Sequence, residues 1–180
     1  MTPRRRRGQE SQALIEFALV SPLLLLLIFG IIDIGRAIFY YDTLNHAARE
    51  GARAAVQASN TMPTNTSVLN LVLGQVVGVS VTEPCPQGPI SAGVPAANTA
   101  WLYITEPNPP GSVETNPPMN APGGEYPQSA GACSAVNPAG DNAPLQVTLR
   151  MNLVLITPVV AQLSSGRIVL TASAVYRTEY

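Results

Sequence analysis

The chain has 180 residues, enough for one small domain beside a membrane segment, and carries a net charge of −1 with 12% charged against 46% hydrophobic residues. All of its basic residues are arginines, and the four at Arg4, Arg5, Arg6 and Arg7 have no aromatic or basic companions nearby, which argues against a nucleic-acid surface. Without a lysine there can be no Gly-x-x-x-x-Gly-Lys phosphate loop.

Between Glu16 and Asp33 lies an uncharged apolar run, Phe17 to Ile32. At 1.5 Å per helical residue it is slightly shorter than the ~20 residues that cross a bilayer core. Ala13, Leu14 and Ile15 extend it at one end, and Ile34, Ala37, Ile38, Phe39, Tyr40 and Tyr41 continue it past Asp33 and Arg36 at the other. Pro22 removes one backbone hydrogen bond and predicts a kink, a defect that Ser21 can relieve inside a membrane helix. Four arginines precede the run, and none lies between Ala54 and Leu149, so the positive-inside bias puts residues 1–11 in the cytoplasm as a basic leader and the bulk of the chain outside.

A cleaved secretory signal is the competing reading, with small residues at Gly35 and Ala37. A cleavage zone is normally unstructured, however, whereas Ile34, Ile38, Tyr41, Leu44, Ala48, Ala52, Ala55 and Val56 keep a helical period, opposite Asp42, Asn45, Arg49, Arg53 and Gln57. We therefore expect one helix over residues 12–59, amphipathic in its second half and stopped by Asn60 and Pro63. Its small residues, Ala47, Ala48, Gly51, Ala52, Ala54 and Ala55, permit close packing on its own domain or on a neighbour. Asp33 and Arg36, three apart, read as a simple pair on the helix surface.

Residues 60–180 form the exterior module. Val68, Leu69, Leu71, Val72, Val76 and Val77 fit a short second helix capped near Thr66 or Ser67, with a strand as competitor because of the β-branched content. Val79, Val81 and Glu83 begin an extended stretch, and Ala100 to Ile104 makes a clearer strand. Residues 106–144, with Pro109-Pro110, Pro117-Pro118 and Gly123-Gly124, read as a long Pro/Gly-rich loop. Leu145, Val147, Leu149, Met151, Leu153 and Leu155 then alternate, as do Ile168, Leu170, Ala172, Ala174 and Tyr176, which predicts two antiparallel strands. They need a cover, and the amphipathic half of the first helix supplies one. The fold class expected is α+β, a long transmembrane and amphipathic helix packed on a small antiparallel sheet, in a single-pass membrane protein.

Cys85 and Cys133 flank the Pro-rich region. In an oxidising compartment they would close a loop of ~49 residues and contribute roughly 4 kcal/mol in the chain-entropy model; the alternative is two free thiols. Their spacing suggests no metal site. The single histidine, His46, sits among alanines with no nucleophile or second ligand nearby, so it reads as a surface or packing residue, and we expect no catalytic residue, metal or cofactor.

The segments Arg7-Gly8-Gln9, Gln12 to Val20, Pro22, Gly30 to Arg36 and Asn45 to Ala55 resemble the TadE-like pilus assembly family over roughly Gln9 to Val56. The resemblance implies a pilin-like minor pseudopilin of tight-adherence (Flp, type IVb) pilus systems, with other pilins, pseudopilins and the assembly machinery as partners besides membrane lipid. It also implies cutting by a prepilin peptidase between Ser11 and Gln12, with Glu16 as the fifth mature residue and the filament-assembly carboxylate. Ser11 stands where the family pattern has Gly, and Gly8 lies three residues too early. A carboxylate at the edge of an apolar helix is costly unless paired, and the new amine of Gln12 or that of an adjacent subunit would pair it; the alternative is an interfacial Glu16 facing water or Arg7. The location implied is the bacterial cell membrane, with the C-terminal module periplasmic or extracellular, or within the pilus. Two other readings compete: an unprocessed single-pass protein whose exterior module binds a surface component, and a membrane-tethered enzyme, disfavoured by the missing constellation.

Overall fold

In a computed structural model, residues 7–57, 63–82, 94–105, 144–157, 161–162 and 165–179 are described. The first element, α1, runs unbroken from Arg7 to Val56, 50 residues, and passes through Pro22. Apolar side chains over its first half and a run of alanines over its second favour helix throughout, and only Pro22 and three interior glycines oppose it.

Helix α2 covers Asn65–Gln75. The sequence suggested a cap at Thr66 or Ser67; the cap is Thr64, whose Oγ1 accepts from the Ser67 amide at 3.2 Å while Ser67 Oγ accepts from the Thr64 amide at 2.9 Å. Ser67 is thus the third helical residue of a capping box, which satisfies two amides at once. The segment is helix and not the competing strand, with Val68 and Val72, one turn apart, as its buried residues.

Four strands follow: β1, Ser80–Thr82, β2, Thr99–Thr105, β3, Pro144–Val154, and β4, Arg167–Arg177, in the spatial order β1-β2-β3-β4. The expected antiparallel strands hold for β2, β3 and β4. The sheet as a whole is mixed, because β1 pairs parallel to β2 with Val81 beside Ala100. Pro144, expected in the loop, is the first residue of β3, a position where a missing amide is tolerated. Residues 106–143 and both cysteines, Cys85 and Cys133, lie outside the described residues.

Alternation divides the sheet into two faces. Ala100, Leu102 and Ile104 of β2, Leu145, Val147, Leu149, Met151 and Leu153 of β3 and Ala172 of β4 are buried in one apolar core. Leu44, Ala47, Ala48, Ala52, Ala55 and Val56 of α1 and Val68 and Val72 of α2 complete it. The register puts Trp101 beside Arg150 and Tyr103 beside Thr148 on the other face. Burial pushes the Tyr103 hydroxyl above its ordinary pKa, and the charge of Arg150 opposes that.

Where α1 and α2 cross, the small side chains set the spacing. A methyl group added at Gly51 would lie 2.7 Å from Val72 Cγ2 and 3.3 Å from Val147 Cγ1, so only a glycine lets α2 and β3 close on α1 together. At the far end of the helix the Glu179 amide donates to the Val56 carbonyl at 3.1 Å, and the end of the chain thereby satisfies one of the last carbonyls of α1.

Candidate functional site

The first half of α1 is bare. From Ser11 to Ile32 no residue is buried, and the most apolar 18-residue window of the helix has 0% of its residues covered by the fold. Leu19 is 77% exposed and Leu23 68%. Such a surface is stable only against lipid or another apolar partner, which makes the helix a candidate membrane anchor. Ser11, Gln12 and Glu16, the residues implied in processing and assembly, are exposed near its start. Gln12 Nε2 donates to Glu16 Oε1 at 3.1 Å, a contact between side chains one turn apart.

At the end of the bare segment the picture changes within one residue. Asp33 is 2% exposed although Ile32 and Ile34 beside it are 44% and 63% exposed. Its carboxylate accepts the Ile156 amide at 3.0 and 3.1 Å and the Thr157 amide at 2.8 Å, from the chain that leaves β3. Arg36 Nη1 lies 3.5 Å from Asp33 Oδ1 and donates to the Val154 carbonyl at 3.5 Å. The sequence reading of these two residues as a simple surface pair is therefore corrected. They form a clamp that holds the end of β3 to α1, and the pair charge is secondary to two backbone amides meeting one buried carboxylate. A carboxylate placed next to an apolar run is costly when left unpaired, and that was the one signal in the sequence that something must satisfy it.

The orientation of the amphipathic half also needs correction close to the clamp. Ile34, Ile38 and Tyr41 were expected on the packed face; they are 63%, 58% and 48% exposed, and the packed side is instead formed by Asp33 with the partly buried Ala37 and Tyr40, then Leu44. The exposed three continue the apolar surface of the bare segment. From Leu44 onward the expected face is the observed one.

His46 is exposed and lines an open cavity of about 360 Å³ with Tyr41, Asp42, Asn45 and Arg49. A neighbouring hollow joins Asp42 and His46 to Phe39, Thr43, Gln75 and Val77. No group of three His, Cys, Asp or Glu side chains among the described residues could hold a metal ion.

A bare apolar helix whose second half serves as the lid of a small mixed sheet defines an α+β protein with one candidate membrane anchor. The family model described as TadE-like protein matches residues 12–53, so over this helix the chain is similar to that family. The matched segment holds the bare run, the Asp33 and Arg36 clamp and the alanine-rich face, and ends short of α2 and the sheet. Comparison with curated proteins and with solved structures finds no match.

Proposed function

We propose that this protein is a minor pseudopilin of a tight-adherence (type IVb) pilus system, a structural subunit that acts through helix packing and performs no catalysis. The single observation that supports this is the coincidence of the TadE-like match with a helix that is uncovered over one half and clad over the other. In this reading residues 1–11 form a cytoplasmic leader, residues 12–59 the spanning and amphipathic helix, and residues 60–180 the exterior module. The four arginines before the span support that orientation. Its partners are membrane lipid, other pilins and pseudopilins, the assembly machinery and a prepilin peptidase, with no nucleic acid. Cys85 and Cys133 pair in the oxidising exterior and tie the module.

Cleavage between Ser11 and Gln12 would put an ammonium one helical turn before Glu16, where the Gln12 amide now sits at 3.1 Å. A charge-assisted pair there, within the chain or with the neighbouring subunit, would set the axial register of assembly. Glu16→Ala is expected to leave the protein membrane-bound and to reduce its incorporation into sheared pili; unchanged incorporation would reject the role of Glu16. Intact-mass analysis of the membrane-extracted chain should show the loss of residues 1–11. A second reading, an unprocessed single-pass protein whose exterior module binds a surface component, is favoured by Ser11 in the place of Gly, and an intact leader on a protein absent from pili would select it.

A further inference from the structure

The clamp fixes the height of more than Asp33. Because the Ile156 amide is 3.0 Å from the Asp33 carboxylate, the chain leaving β3 lies at Ile156 level with the first residue after the apolar run. Ile156 is 56% exposed there, while Leu155 before it is 7% exposed, so an isoleucine points out of the module at the level where the bare helix ends. The register pairs Val154 with Arg167, which is exposed, and Arg36 donates to the Val154 carbonyl. Two arginines thus belong to the same strand end, Arg36 through its bond and Arg167 through its register. On the helix, Ile34 continues the apolar surface at this height and is 63% exposed.

We propose that this end of the module, Ile156 with Arg36, Arg167 and Ile34, is a lipid-docking rim that seats the exterior module on the bilayer. The proposal rests on the reading of α1 as a membrane anchor and extends it to the sheet. Three observations select lipid as the occupant: continuity with the apolar surface of the span, the depth set by the Asp33 bonds, and positive charge beside a protruding apolar side chain. An apolar tip enters the acyl boundary while arginines meet headgroup phosphates, as in interfacial anchors generally. The module would then stand at a fixed height and angle on the membrane, with α1 as its axis.

Tryptophan quenching in vesicles of phosphatidylcholine and phosphatidylglycerol tests this. The full-length chain has one tryptophan, so Trp101→Phe gives a silent background into which Leu24→Trp, Ile156→Trp and Leu73→Trp are placed singly. All three positions are exposed, at 51%, 56% and 41%, so the substitutions disturb no core. Leu73 follows Val72, which packs at Gly51, ~27 Å along α1 from Asp33 by the helical rise. Expected are strong quenching of the tryptophan at 24 by lipids brominated near the bilayer centre, and quenching at 156 by lipids brominated near the glycerol, about twofold or more above that at 73. If 24 is quenched and 156 matches 73, the rim is wrong and the anchor stands. If 24 is not quenched, the anchor reading fails and the rim falls with it.

Discussion

The two halves of α1 are one helix in backbone and two objects in surroundings. Leu24, in the bare half, is 51% exposed; Leu44, in the clad half, is 0% exposed. Nothing in helical propensity separates them. The difference comes from what covers each residue. The clad half is covered by its own chain and the bare half is left for lipid or for other helices, with the boundary drawn by one carboxylate.

That contrast can be broken by paired substitutions, read as the denaturant stability of the exterior module in mild detergent. Leu44→Ala opens a cavity beneath the sheet and should cost about 3 kcal/mol, whereas Leu24→Ala should change the module by less than about 0.5 kcal/mol. Equal losses would mean that the bare half is also packed in the module. Asp33→Ala leaves the Ile156 and Thr157 amides without their acceptor and should cost about 2 kcal/mol, with Asp33→Asn recovering part because one carbonyl oxygen still accepts. An unchanged midpoint for Asp33→Ala would remove the clamp from the account.

Two glycines sharpen the comparison further. Gly51→Ala gains helix propensity and meets Val72 and Val147, for a net loss of about 1 kcal/mol. Gly74→Ala in α2 meets nothing within 4 Å and should gain about 0.5 kcal/mol. If both substitutions stabilise, the crossing of α1 with α2 and β3 is looser than described.

Much of the fold was legible in the sequence because it is written in periods. The alternation from Leu145 to Leu155 and from Ile168 to Tyr176 identifies β3 and β4, and the alanines from Ala47 to Ala55 identify the face that covers them. The clamp was not legible, since Asp33 meets partners 123 and 124 residues away and those partners are backbone amides, which any residue type supplies. The parallel pairing of β1 was hidden for a different reason, because three residues are too few to carry a period. Ile34, Ile38 and Tyr41 were put on the wrong side because an apolar residue facing outward and one facing a sheet look alike in a sequence. That ambiguity is confined to the turns beside the boundary, where the bare surface and the packed face run side by side.

As a membrane anchor, the bare half would lie in a bilayer with the module on its far side. Alkaline carbonate washing of membranes, followed by external protease on spheroplasts of prepilin-peptidase-deficient cells carrying an N-terminal tag on the uncut leader, reads both points at once. The chain should stay with the membrane pellet, and the protease should remove the module while sparing the tag. Release of the intact chain by carbonate, or loss of the tag with the module protected, would contradict it.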